Sequence, residues 1–293
     1  MTKFPRTVVG GVSMPRIICG SNWFLGFSHT SRAKDRFIKD LFDTPHKIAN
    51  LLEVFMRHGC NAVMAPASQI LVDAIKEVQQ RVGEKMIYVS TPGYLDMGKP
   101  DSWKPAADQA RAWGATFCFP HQSVTDPRID RVNRCLMPQL VEHLRYVREA
   151  GMVPGLSTHT PESIVCSDAS GADVESYVQP YNAAGFLCQV ETDWVQQVIQ
   201  NAKKPVMTIK PFGVNRVLPP TALAFVWNTI RDCDMVTIGT MNAYEAEEDI
   251  ELSLAILERR KPDVQLQYTR SKHSIAPQAE ATQRIKREDV RPK

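Results

Sequence analysis

Eight times along this chain a short apolar run is followed by a longer amphipathic stretch, and that alternation constrains the fold more than any other feature. The runs fall at residues 16–20, 61–65, 85–90, 116–119, 153–157, 176–179, 205–210 and 235–239. They are rich in Val, Ile and Met and apolar on both faces, as strands buried in a parallel sheet must be. The stretches between them carry apolar residues at helical spacing. Thr44 and Pro45 read as the N-cap and first position of one helix, with Ile48, Leu51, Leu52, Phe55 and Met56 as its stripe and Gly59 as its stop. Residues 69–82 form the next, with Ile70, Leu71, Ala74, Ile75 and Val78 on one face and Gly83 as the stop. Further helices are expected near 102–113, 136–150, 161–167, 192–202, 219–232 and 244–260. The segment after the first run, from Asn22 to Asp40, reads as a long loop.

Eight alternating units in 293 residues close most naturally into a (β/α)8 TIM barrel. The runner-up is an open doubly wound sheet, but no Gly-rich dinucleotide turn follows the first run. Residues 1–262 are read as the barrel. Residues 263–293, where the pattern fades, are read as a polar C-terminal tail that wraps the body, meets another subunit or is mobile.

The chain carries 35 Lys and Arg against 32 Asp and Glu, a net charge of +3. Residues 268–293 alone hold seven bases and three acids, so the body is nearly neutral. That argues against a nucleic-acid surface. The basic tail is compatible with a homo-oligomer contact. Seven cysteines, an odd number with no C-x-x-C, read as small buried hydrophobes in a reducing compartment. The opening MTKFPRTVVGGVSM lacks the apolar core of a signal peptide, and no run approaches the ~20 apolar residues of a membrane span. A cytoplasmic location and no membrane partner are the expectation.

A barrel places chemistry at the C-terminal ends of its strands. Those ends offer Asn22 and Trp23, Tyr94, His121, His159, Gln179, Tyr181 and Asn182, Lys210, and Thr240. His121 and His159 read either as structural hydrogen-bonded residues or as an acid/base pair. The two histidines could also bind a metal, with His29 or Glu191 reaching in from a distant loop as third ligand, but no H-x-H or H-x-x-x-H supplies one, so a metal is the minority reading and none is assigned. Lys210 ends an apolar run, where desolvation lowers a lysine pKa and can make it a nucleophile or base. The plainer reading has its ammonium paired with a carboxylate or a substrate anion. The segment Trp23 to Ser31 puts aromatics and His29 beside hydroxyls, as a lid over a sugar-like polyol would, or as a self-packed loop.

Several segments, in order, resemble the aldo/keto reductase superfamily. The stretch 12–20 is similar to its first strand, and His121 stands where its strand-four histidine lies. The segment VPGLSTHTPE at 153–162 resembles its G-x-S-N-H-S-P-E, and Gln179-Pro180-Tyr181-Asn182 its Q-x-x-Y-N. Lys210-Pro211-Phe212-Gly213 is similar to its K-P-L-G turn, and Ile238-Gly239-Thr240 with Glu247-Glu248-Asp249 to its last-strand and adenosine-holding segments. The resemblance implies a (β/α)8 barrel and an NAD(P) site at Gly239, Thr240, Glu248 and Asp249. The chain departs from the family where its catalytic aspartate, tyrosine and lysine would stand. Residues 61–68 read NAVMAPAS, and Ser90-Thr91-Pro92 ends the third run. The cofactor is therefore left unassigned.

The leading expectation is an enzyme acting on a small polar carbonyl or polyol compound by non-redox chemistry: elimination, isomerisation or hydrolysis. His121, His159, Lys210 and Tyr181 are its catalytic candidates. Asn22, Trp23, His29, Tyr94, Gln179 and Asn182 are its substrate-binding candidates. The alternatives are a divergent NAD(P)-dependent oxidoreductase and an inactive ligand-binding barrel.

Overall fold

The computed structural model describes residues 3–93 and 103–265, with the single positions 267, 272 and 275. The candidate Tyr94 and nearly all of the expected tail lie outside the described residues. The chain divides into two units, Met1–Pro262 and Asp263–Lys293. The first carries the barrel.

Its parallel strands are β1 (Ile17–Gly20), β2 (Ala62–Ala65), β3 (Ile87–Ser90), β4 (Phe117–Cys118), β5 (Val153–Pro154 and Leu156–Ser157), β6 (Tyr177–Pro180), β7 (Val206–Ile209) and β8 (Met235–Ile238). The outer helices follow in step: α1 (Pro45–Arg57), α2 (Gln69–Val82), α3 (Trp103–Ala112), α4 (Pro138–Glu149), α5 (Glu162–Ser170), α6 (Thr192–Asn201), α7 (Pro219–Thr229) and α8 (Ala243–Leu257). Each strand pairs with the next, and β8 pairs with β1. The expected barrel is thus the observed one, and the open sheet is not.

The cylinder closes through β5, which is broken at Gly155. Its first half pairs with β4 and its second with β6. Val153 N donates to Thr116 O at 2.9 Å and Ser157 N to Pro120 O at 3.2 Å, while Leu156 N donates to Ser176 O at 3.1 Å. Glycine is required at the break. A Cβ there would lie 2.4 Å from the Phe119 ring and 2.5 Å from Ser176 O.

The interior is filled by alternate residues of the strands, because side chains of a strand point to opposite faces with period two. Ile18, Ala62, Met64, Ile87, Val89, Phe117, Phe119, Val178, Met207 and Met235 form one buried cluster. Each of these side chains except Ala62 contributes about 1.5–3 kcal/mol by leaving water.

Two segments differ from expectation. Residues 12–20 do not form one strand: Val12–Pro15 pairs antiparallel with Arg6–Val9, and β1 begins only at Ile17. This hairpin turns on Gly10 and Gly11, with φ of 54° and 79°. Its Val9 and Met14 join the barrel cluster and close the end opposite the strands' C-termini. The segment after β1 is not a loop either. It contains a short helix, Asn22–Leu25, and a second, Arg32–Leu41. Ser31 Oγ caps the second by accepting from Lys34 N at 3.2 Å. Among the described residues, no helix is long and apolar enough to cross a membrane.

Candidate active site

The period-two alternation that fills the core also selects what reaches the mouth. Two residues beyond inward-facing Phe119 comes His121. Two beyond Ser157 comes His159, and two beyond Val89 comes Thr91. All of them line a cavity of about 530 Å³ at the C-terminal ends of the strands. Asn22, Trp23, Phe27, Ser28 and His29 wall it from the segment after β1.

Lys210 is the exception to the alternation. Met207 and Ile209 face inward, so a continued strand would turn Lys210 outward. Instead its φ is 61°, in the left-handed region that a lysine rarely adopts. That turn re-aims the side chain into the cavity. Such strain persists where the surroundings over-determine it, and it clusters at functional sites.

Lys210 Nζ lies 3.2 Å from His29 Nε2, and Asn22 Nδ2 lies 3.2 Å from the same nitrogen. The amide and the ammonium both donate, so His29 Nε2 accepts and its Nδ1 carries the proton. The residue before it is fixed by Asp35: Ser28 N and Oγ donate to Asp35 Oδ1 at 2.8 and 2.6 Å. No carboxylate pairs with Lys210 among the described residues, so the expected ion pair within the protein is absent there. Burial pushes its pKa down to about 8.

His121 takes the opposite tautomer. Ser123 N donates to its Nδ1 at 3.3 Å, and Ser123 Oγ lies 2.9 Å from that atom. Neutral His121 therefore carries its proton on Nε2, the nitrogen left for a ligand. Burial, and then the Lys210 charge, lower its pKa. His159 is pushed down to about 3 by burial and by Lys210, His121 and His29. All three imidazoles are neutral near pH 7.

Asp126, which sequence reasoning missed, positions the β5 end. It accepts from Thr158 Oγ1 at 2.5 Å and from His159 N at 3.1 Å. Burial raises its pKa against these hydrogen bonds.

Tyr181, Gln179 and Asn182 are not brought to this mouth. All three are fully buried, and none lines the cavity. Gln179 and Tyr181 have the opposite strand parity to inward-facing Val178. The Tyr181 hydroxyl donates to Thr229 Oγ1 on α7 at 2.9 Å. The Asn182 amide braces the following turn, its Oδ1 accepting from Phe186 N at 2.9 Å and its Nδ2 donating to Phe186 O at 3.0 Å.

The cofactor candidates lie on the far side of Trp23. A second cleft of about 490 Å³ is lined by Tyr244, Glu245, Glu248 and Asp249, and shares Trp23, Phe212 and Gly239 with the first. Thr240 is buried behind it, its hydroxyl without a partner among the described residues. Burial, then Glu245 and Glu248, push Asp249 up to about 8. Among the described residues, three carboxyl groups and no Lys or Arg line this cleft, a lining that does not fit the 2′-phosphate of a nicotinamide dinucleotide. Among the described residues, no group of three His, Cys, Asp or Glu is arranged to hold a metal ion.

No family model matches the sequence, and no curated protein matches it in sequence. Solved structures do match in fold. A Pseudomonas aeruginosa protein classed with the aldo-keto reductases aligns with a TM-score of 0.62 at 12% identity, covering 86% of this chain and 95% of its own. The holo form of an aldo-keto reductase from Bacillus halodurans aligns at 0.57 and 10% identity, covering 91% and 99%. The BexX/CysO complex of Amycolatopsis orientalis aligns at 0.56 and 14%, covering 91% and 100%. In fold this chain is a (β/α)8 barrel similar to those of the aldo-keto reductases, divergent from them in sequence.

Proposed function

We propose that the protein is an enzyme acting on a small polar carbonyl compound at the barrel mouth, by acid–base rather than hydride chemistry. One observation carries this reading: Lys210 is the only charged residue lining the 530 Å³ cavity among the described residues, and three neutral imidazoles surround it. A partly buried cation with no acid beside it among the described residues favours an anion, or an oxygen on which negative charge develops.

Each group then has a role its geometry supports. His121 Nε2–H donates to the carbonyl oxygen, polarising it. Lys210 supplies charge where an enolate or alkoxide oxygen forms. Its pKa of about 8 lies near working pH, where a group exchanges protons most effectively. His159, neutral throughout the physiological range, serves as a hydrogen-bonding partner and not as a base. Trp23 and Phe27 offer apolar faces, and Thr91, Ser28 and Ser157 offer hydroxyls, as a polyol-like substrate requires. Isomerisation and elimination next to a carbonyl both use this set.

The test is thermal stabilisation by a panel of small hydroxyaldehydes, hydroxyketones and 2-oxo acids, followed by product analysis of those that bind. Wild type is expected to gain stability and convert at least one compound, and His121→Ala to lose turnover with an unchanged far-UV spectrum. NADH and NADPH belong in the same panel. If they bind and the carbonyl compounds do not, the non-redox reading fails.

A further inference from the structure

We infer that Lys210 is a covalent nucleophile: its amine forms an imine with an aldehyde or ketone held at the barrel mouth. The inference rests on the carbonyl reading above for its substrate class, but it assigns Lys210 a bond where that reading needs only a charge.

Four observations support it. Lys210 is partly buried, and its Nζ stands at the cavity wall with no carboxylate against it among the described residues. Among the described residues, the titratable groups that face it, His29, His121 and His159, are neutral near pH 7 and stabilise no ammonium by charge. The backbone at Lys210 adopts a left-handed φ that aims the amine inward, where the strand's own alternation would turn it away. Finally, His29 Nε2 lies 3.2 Å away as a proton acceptor, a tautomer that Asn22 Nδ2, also 3.2 Å from that nitrogen, favours. A lysine kept only for charge needs no proton acceptor at hydrogen-bond distance. A lysine that must become a free amine does.

The step balances as follows. The Lys210 ammonium gives one proton to His29 Nε2, leaving a lone pair. That pair attacks the carbonyl carbon as the C=O π electrons move to oxygen, which His121 Nε2–H steadies by a hydrogen bond. The oxygen takes up a proton and the nitrogen loses one, giving a neutral carbinolamine. The proton on His29 returns to the hydroxyl, the C–O bond breaks and water leaves. The nitrogen lone pair forms the C=N bond of a protonated imine. Overall, one ammonium and one carbonyl give one iminium and one water, with no redox change. The iminium is then the electron sink for proton loss or bond cleavage at the neighbouring carbon.

The test is reductive trapping. Wild-type protein is incubated at pH 7.5 with glycolaldehyde, dihydroxyacetone or pyruvate and sodium cyanoborohydride, and the alkylated sites are read by intact mass and peptide mapping. Lys210 is expected to label at least about tenfold faster than the exposed Lys47 and Lys76 with one or more of the probes. Lys210→Arg should remove the fast phase, and His29→Gln should slow it with the fold intact by circular dichroism. Labelling of Lys210 at the rate of the exposed lysines, with all three probes, overturns the inference. If the probes then still stabilise wild type thermally but not His121→Ala, the carbonyl reading survives and only the imine falls. If they do neither, both fall.

Discussion

Two clefts open side by side at one end of the barrel, and they differ in electrostatics far more than in size. Among the described residues, the cleft over β4, β5 and β7 is lined by one cation and no acid, and its neighbour beside α8 by three acids and no cation. Trp23, Phe212 and Gly239 form the wall between them. The difference teaches that this mouth is not one elongated groove for a ligand of uniform charge. A small anionic or carbonyl group is favoured on one side of Trp23, and a neutral or cationic group on the other.

That contrast can be broken most drastically at its cation. Lys210→Met is expected to lower turnover of a carbonyl substrate by about a thousandfold or more, the scale of losing a nucleophile or a charge aimed at the reacting oxygen. The same substitution should stabilise the fold at pH 7. The native Lys210 has a depressed pKa, so the unfolded chain binds more protons between about pH 8 and pH 10.5, and wild-type stability rises with pH across that window. Denaturation of wild type and Lys210→Met at pH 7 and pH 10 reads both the gain and its disappearance.

Breaking the wall comes next. A Cβ at Gly239 would lie 2.7 Å from Trp23 Cδ1. Gly239→Ala should therefore displace the indole and cost about 1–3 kcal/mol, read from the denaturation midpoint. If the clefts act separately, it should also alter ligand affinity in both.

The acidic side yields a comparable but opposite pH signature. Asp249 is raised to about 8 in the folded protein, so the native state holds its proton while the unfolded chain releases it. Stability falls as pH rises from about 4 to 8, and the cost is full above 8. Asp249→Asn should recover about 1–3 kcal/mol at pH 8.5 and almost nothing at pH 4. The smallest expected effect sharpens the comparison: Glu248→Lys should give the acidic cleft measurable NADPH binding by fluorescence, where wild type shows little.

The barrel was legible because its signals are local. Each strand is a short run apolar on both faces, and α2 runs from Gln69 to the left-handed Gly83 as its stripe and stop require. The hairpin at Arg6–Pro15 was missed although Gly10-Gly11 between Val9 and Val12 is a strong two-residue turn signal. Helix Arg32–Leu41 was missed although Ala33, Phe37, Ile38 and Leu41 recur at helical spacing behind Ser31 as N-cap; the many charges between them, and the burial of Ile38 alone, made it read as a loop. His121 and His159 follow from strand-end position combined with parity. The same parity, applied to Val178, would have turned Gln179 and Tyr181 away from the mouth. Lys210 obeys no such rule, since its placement depends on one backbone angle that no residue pattern announces. Asp126 lay hidden for a different reason: its partners are 32 and 33 positions away, and only the closed cylinder brings them together.

The hairpin has a consequence for traffic. Val9 and Met14 pack into the same buried cluster as the inward strand residues, so the barrel interior is a filled core and the cavity is a recess above it, not a passage through it. On the proposed function, a ligand would therefore enter and leave by the same opening, beside the segment that carries Trp23 and His29.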